Sequence, residues 1–437
     1  MKNKMILFNG WFKKLRDDDI NSKILNYLAM AYIFSLTVSY KVDGTILWLI
    51  VLIFLLNENI GIKIRNAFKN RFVQASVVYF FIFIIWMFGS DNIDTAIYIL
   101  KYNKPVLYSL LFVAFLRKEF ISKFIAVFIV GMIINVVWSY LIFFGYATQP
   151  FWSVQSGYLP ILYKTDHAFF ILVVLGYSLY RLLVVNDPLK YKILFGILFS
   201  FESINIFLSG SRTGMITYLI MVGFTLIYVY RKNIYKIVLF FSLLFCFFVS
   251  SVYFFLPEVK VNIINEYKGL VKSIEQNDYN SSSGARVGMA KYALQVIGEN
   301  LWLGVGTGDH ISVTLEKMKI SENYKDGQKY QEIENVFGAG HSAMLHNNYL
   351  QLMVQFGLVG LFSLLFIFMA ILRSHFLEDE YRYMAFLIIV LSLVVMGTGY
   401  DFGLNNYGKF FIFILSAMIV QNIQNKNTSE YLIHTHK

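Results

Sequence analysis

Apolar runs long enough to cross a bilayer recur along this chain, and a single long polar stretch interrupts them. A spanning helix needs about 20 apolar residues. Such runs fill most of the sequence from residue 24 to residue 256 and again from 349 to 423. Between them lies Leu256–Asn347, a polar segment of about 92 residues that closes on Gly340-His341-Ser342-Ala343-Met344-Leu345-His346-Asn347-Asn348 and leads straight into the next apolar run. A chain that keeps one large polar segment between spans is expected to place its chemistry there.

Composition agrees. Of 437 residues, 57% are hydrophobic and 18% aromatic, with 15% charged and a mean hydropathy of +0.57. A soluble protein needs more charge to cover its surface, so the expected class is all-α, a polytopic integral membrane protein. Met1–Lys23 is basic and polar, and the first apolar run is long enough to remain as an anchor, so no cleavable leader is expected. The single Cys246 sits in an apolar run, which excludes an intrachain disulfide and a cysteine-based metal site.

Twelve spans are read, at about 24–40, 44–57, 73–89, 104–116, 124–146, 167–185, 191–209, 214–230, 237–256, 349–372, 384–398 and 409–423. The second and fourth are short. The fourth can begin nearer Ala96, with Lys101 and Lys104 snorkelling outward. With the N-terminus in the cytoplasm, the inner segments hold 23 Lys and Arg and the short outer ones hold 6. This bias sets the orientation and puts both termini inside. The organisation is therefore 1–255, spans one to nine; 256–348, an outer loop with amphipathic helices; 349–423, spans ten to twelve; and 424–437, a cytoplasmic tail.

The net charge of +11 is then a topology signal. The outer segment itself carries 9 basic and 11 acidic residues, and no soluble surface interleaves Lys/Arg with aromatics, so no nucleic-acid partner is expected. Within that segment, Val261–Ile274 has the apolar spacing of an amphipathic helix, suited to lie on the membrane or pack on the bundle. The serines of Asn280-Ser281-Ser282-Ser283-Gly284 can cap a second helix, from about Ala285 to Glu299, and Gly304-Val305-Gly306-Thr307-Gly308 breaks it. That glycine run lacks the Lys-Ser/Thr of a phosphate-binding loop and reads as a turn.

Three places can carry chemistry. Ser209-Gly210-Ser211-Arg212 is an outer turn between two spans. Arg212 either snorkels at the membrane surface or, with the small residues that let a ligand approach the backbone, forms a fork matched to phosphate oxygens. Ser283-Gly284-Ala285-Arg286 opens a helix, where Arg286 is either a solvated surface cation or part of an anion site. His341 and His346 are either polar loop residues or general bases near neutral pH. Asn347 and Asn348 can orient His346 or bind a sugar hydroxyl. Their spacing of five does not suit a helical zinc site, and no metal is expected. Glu202, mid-span, is functional or satisfied by a Tyr or Ser of the bundle. Asp166-His167 touches substrate or ends a helix.

The Ser209-Gly210-Ser211-Arg212 turn, the Arg286–Asn300 helix followed by Leu301-Trp302-Leu303-Gly304-Val305-Gly306-Thr307-Gly308, and His346-Asn347-Asn348-Tyr349-Leu350 with Gly357 and Gly360 resemble the O-antigen ligase and polymerase superfamily of bacterial envelope enzymes. The resemblance covers roughly Ser209–Leu361. It implies a GT-C-like glycosyltransferase in the bacterial inner membrane with its active site on the periplasmic side. The donor it implies is a glycan on undecaprenyl pyrophosphate, and the acceptor is lipid A-core or another glycan. Neither metal, cofactor nor nucleotide sugar is implied. Carried over, Arg212 and Arg286 bind the pyrophosphate and His346 activates the acceptor hydroxyl. Ser211, His341 and Asn347 complete the expected substrate-binding set. A ligase is favoured over a repeat-unit polymerase. A flippase or transporter fits less well, because no internal repeat or mid-span helix break is read.

Overall fold

The computed structural model describes residues 16–150, 162–239, 242, 246, 257–321, 324, 327–338, 340, 343–398, 403 and 405–435. Among them there are helices and turns but no strands. In chain order the helices are α1 (Asp18–Val38), α2 (Val42–Leu55), α3 (Ile60–Phe68), α4 (Arg71–Met87), α5 (Ile93–Asn103), α6 (Tyr108–Phe115), α7 (Ile121–Phe143), α8 (Lys164–Leu183), α9 (Leu189–Leu208), α10 (Arg212–Tyr230), α11 (Pro257–Glu275), α12 (Ser282–Glu299), α13 (His310–Ile320), α14 (Gln331–Phe337), α15 (Asn348–Leu372), α16 (Asp379–Met396) and α17 (Asn406–Thr435).

By length and composition, five helical stretches among the described residues can cross a membrane: Lys118–Phe143, α8, α9, α10 and α15. Helices α2 and α3 form a further apolar pair, bent by 113°. This is the architecture of a multi-pass membrane protein. A helix lies at every position read as a span except 237–256, most of which falls outside the described residues. At the position read as the fourth span, α5 begins at Ile93 and is separated from α6 by a tighter turn at Lys104–Leu107, where Pro105 sits.

The middle of the bundle is α8, which is buried along nearly its whole length against α9, α10 and α16. The first part of α17 is equally enclosed, from Asn406 to Gln421. Outer helices keep apolar side chains exposed, among them Trp48, Leu52, Phe81, Ile197 and Ile216, as a lipid-facing surface requires.

The polar segment is not a separate unit. Its own core gathers Tyr279, Tyr292, Tyr330 and Ile333 around Val354, which belongs to α15. Helix α11 packs on α12, and α12 packs on α15. The deepest connection is at Gly357. The sequence reads α15 as one uninterrupted span, but Gly357 has φ 59° and ψ −148° and breaks it. The loop Leu301–Gly308 fills the gap. Val305 N–H donates to the Val354 carbonyl at 2.9 Å, Gly306 N–H to Gln355 at 3.0 Å, and Leu358 N–H to Leu301 at 2.9 Å. Backbone groups freed by the break are thus satisfied by protein, the condition for irregular backbone at membrane depth. The same loop is tied to α4 and the turn after it. Thr307 Oγ1 donates to the Phe83 carbonyl at 2.8 Å, and the buried Asp309 carboxylate accepts from Ser90 Oγ and from the N–H groups of Asp91 and Asn92.

Candidate active site

The turn between α9 and α10 is built by its small residues. Gly210 takes φ +59°, which reverses the chain at low cost only for glycine. Ser209 Oγ donates to the Ile206 carbonyl at 2.7 Å, and Ser211 Oγ accepts the Gly214 N–H at 3.1 Å. Ser211 is therefore the N-cap of α10 and is buried, its hydroxyl engaged with backbone. This leaves Arg212 as the first residue of α10, half exposed. Lys164, the first residue of α8, brings its ammonium beside Gly210 and close enough to Arg212 for the two charges to interact.

Arg212 forms an ion pair with Glu266 of α11. The Glu266 carbonyl in turn accepts from Ser283 Oγ at 3.0 Å. Burial pushes the Glu266 carboxyl up, but Ser283 and Arg212 outweigh it and hold it below its ordinary value. Ser283 lies in the first turn of α12, which starts at Ser282 behind the Ser281 N-cap. Arg286, expected in the first turn, is in the second, because the helix begins earlier than its apolar pattern indicates. It is exposed, and it shares a helix face with Ser283 at i, i+3. Glu266 thus links the Arg212 turn to the face that carries Arg286.

Arg286 acts on His346. Burial first, and then the Arg286 charge, lower the His346 pKa below its ordinary 6.5, so the ring is neutral at pH 7. The His346 backbone is left-handed, with φ 51°, uncommon for a residue with a side chain. Asn347 caps α15, its Oδ1 accepting the N–H groups of Tyr349 at 3.1 Å and Leu350 at 3.2 Å. The cap fixes the helix start immediately after the histidine. Asn348 is buried, and its side-chain amide nitrogen has no hydrogen-bond partner among the described groups. His341 lies outside the described residues.

Other charged candidates fall elsewhere. Asp166 accepts from Tyr40 Oη and from the Tyr407 N–H, both at 2.9 Å, and His167 Nε2 meets Asn205 Oδ1 at 2.8 Å. Both residues are fully buried and join helices of the bundle. Glu202 is buried in α9, on the face that holds Asn205, and neither of its oxygens has a hydrogen-bond partner among the described residues. No group of three His, Cys, Asp or Glu able to hold a metal is found among the described residues.

Sequence reading missed two contributors. Lys164 had a signal: it is an outer cation at the start of the span before the Arg212 turn. Glu266 had none, because it matters through partners on other helices; Ser283 was read within its turn, but its bond to Glu266 was not. His310 is a fourth histidine of interest. It is buried beside the Ala343 backbone, and burial holds its ring down to about 4. It stays neutral and is too enclosed to meet an acceptor.

The arrangement offers cations for an anionic leaving group, a neutral imidazole for a proton, and helices that run from it into the membrane. The fold is that of a multi-pass membrane protein, with these groups at the heads of its helices. The O-antigen ligase family matches residues 194–365, a stretch that includes Arg212, Arg286, His346 and Gly357. The resemblance read from the sequence to the O-antigen ligase superfamily holds over that stretch. The chain is also 28% identical over 223 residues to an uncharacterized protein of Haemophilus influenzae, a match covering 48% of this chain and 52% of that protein. The chain thus spans about half the length of that curated relative.

Proposed function

We propose that this protein is an O-antigen ligase-like glycosyltransferase. It moves a glycan from undecaprenyl pyrophosphate to an acceptor sugar of lipid A-core, without metal and with inversion. The observation that carries the reading is the linked series Arg212, Glu266, Ser283, Arg286 and His346, inside the stretch that matches the family. The acceptor hydroxyl oxygen attacks the anomeric carbon, His346 takes the hydroxyl proton, and the bond to the pyrophosphate oxygen breaks. The electron pair leaves with the pyrophosphate, whose developing charge Arg212, Arg286 and Lys164 stabilise. In-line attack inverts the anomeric centre.

The reading carries the twelve-span, GT-C-like layout with both termini in the cytoplasm. It places the enzyme in the bacterial inner membrane, with 256–348 as the periplasmic loop and 424–437 as the cytoplasmic tail. Ser211 and Asn347 act in it through the backbone they cap, and His341 is proposed as a substrate contact. A polymerase of the same superfamily would use the same residues on a different acceptor. In a deletion strain, loss of attachment to lipid A-core with lipid-linked polymer retained marks a ligase; a core bearing one repeat unit marks a polymerase. The break at Gly357, a device that transporters use, is here closed by the Leu301–Gly308 loop, which disfavours a transport path.

Hydrogen bonds to charged groups contribute about 1.5–3 kcal/mol each. Arg212→Gln and Arg286→Gln are each expected to raise the donor KM by about 10-fold or more, in transfer assays with purified lipid-linked donor. Glu266→Gln, which releases Arg212, leaves donor affinity equal or tighter. If all three variants weaken donor binding alike, the Arg212–Glu266 pair is only a structural link and the pyrophosphate assignment is wrong.

The pH profile tests the base separately. His346 must be neutral to accept a proton, and its pKa is lowered. The rate should hold as pH falls through 6.5 and drop only below it. In Arg286→Gln, with one lowering influence gone, the acid limb moves to higher pH. An acid limb at or above 6.5 in the unmodified enzyme would contradict this environment for the base.

A further inference from the structure

The far end of α15 holds a cluster of cations, independent of the reaction above. Helix α15 starts next to His346 and ends at Leu372, beyond the break at Gly357. There a cavity of about 670 Å³ opens between the start of α4, the end of α15 and α17. Its polar wall carries Lys69, Arg71, Arg373, His375 and Lys426, and no carboxylate lines it among the described residues. Its other wall is apolar, with Ala370, Ile419 and Ile423.

Positive charge at this membrane face is expected from topology alone, since all these Lys and Arg belong to segments read as cytoplasmic. Topology does not explain their company. On this face Lys23, Lys63, Arg117, Lys118, Arg181 and Arg382 are each paired with a carboxylate, and others such as Arg65 and Arg231 stand without one among the described residues but do not line this cavity. Around the cavity, Arg71 and Arg373 have no carboxylate partner among the described residues. The start of α4 also faces this space through Asn70 and Arg71; Asn70 Oδ1 accepts the Phe72 N–H, and the helix dipole adds positive potential. Arg71 at that position is unfavourable for the helix by itself, which an anion in the cavity would reverse.

The rim is built. Phe376 N–H donates to Asn422 Oδ1 at 2.9 Å, and Asn425 Nδ2 donates to the Phe376 carbonyl at 2.8 Å, pinning the turn after α15 to α17. Arg382 Nη2 donates to the His375 and Leu377 carbonyls at 3.2 and 2.8 Å and holds the turn from the other side.

We propose that this cavity binds the phosphate of an anionic phospholipid headgroup, from the leaflet opposite the candidate active site. The cations meet the phosphate, and the apolar wall of α15 and α17 receives the start of the acyl chains. A basic pocket between membrane helices is the form such recognition takes. A soluble phosphate would use the cations alone and leave the apolar wall without a role.

The test uses the full-length protein in detergent, with lipid retention measured by native mass spectrometry. Phosphatidylglycerol should remain bound and phosphatidylethanolamine should not. The double variant Arg71→Gln/Arg373→Gln should lose phosphatidylglycerol affinity by 10-fold or more, and Lys192→Gln, a cation in the first turn of α9 outside the cavity, should keep it. Thermal unfolding of each variant in lipid-free detergent checks that the fold is intact. Equal phosphatidylglycerol binding by the double variant and the unmodified protein overturns the proposal. So does displacement of the lipid by equimolar inorganic phosphate, which would mark a site for a soluble anion.

Discussion

Replacing His346 with alanine lowers glycan transfer about 100-fold or more while donor binding stays largely intact, the loss expected when a general base is removed. The ring is neutral at pH 7 because it is partly buried and faces Arg286, and a neutral imidazole is the form that accepts the acceptor's proton. Alanine alone would not isolate this role. His346 is left-handed at φ 51°, a backbone that histidine already occupies at a cost and that alanine tolerates less well. His346→Asn is the cleaner variant, since asparagine tolerates that backbone but has no basic nitrogen. It should fold and bind donor like the unmodified enzyme yet transfer as poorly as the alanine variant. His341→Ala should be milder. The measurement is turnover with purified lipid-linked donor in detergent, with melting temperature checked alongside. Near-normal turnover by His346→Asn, or a dead His341→Ala enzyme, would reassign the base.

Gly357→Ala is expected to destabilise the protein more than any other single methyl addition to α15. A Cβ at Gly357 would lie 2.3 Å from the Trp302 carbonyl carbon and 2.4 Å from its oxygen. Both are backbone atoms of the inserted loop, so no rotamer change relieves the clash. The φ of 59° and ψ of −148° are close to a region that only glycine occupies, at a cost to other residues of about 1–3 kcal/mol. Pushing the loop away also endangers the three backbone bonds that seat it, each contributing about 0.5–1.5 kcal/mol. The sum is several kcal/mol. It should appear as a large drop in melting temperature and as new protease cleavage within Leu301–Gly308. Gly196→Ala is the control, because nothing lies within 4 Å of its added Cβ. A Gly357→Ala protein as stable as the Gly196→Ala protein would mean that the loop does not hold the break.

The contrast between these two glycines shows where the sequence is legible. The long apolar helices could be read because a run of apolar residues of that length records the surroundings it needs. The Arg212 turn, Arg286 and His346 could be picked out because each is a chemically capable residue in an unusual local setting. The break at Gly357 could not be read. Apolar residues continue on both sides of it, and the groups that make the break affordable lie at Leu301–Gly306, far back in the chain. The glycines at 304, 306 and 308 did signal a turn. That the turn inserts into a helix is a property of the pair of segments and leaves no mark in either one alone. Glu266 is hidden for the same reason. An acid in a solvated amphipathic helix looks ordinary until Arg212 and Ser283 arrive from two other helices.

The insertion at Gly357 decides what the histidine moves with. Residues 348–356 form a short stub of α15, and its last turn is fastened to the loop at Val354 and Gln355. That loop is moored through Thr307 and Asp309 to the end of α4 and the turn beyond it. Leu358, on the far side of the break, is fastened to the same loop at Leu301, so the histidine at the head of the stub takes its bearings from α4, the polar segment and the rest of its own helix through one shared clasp.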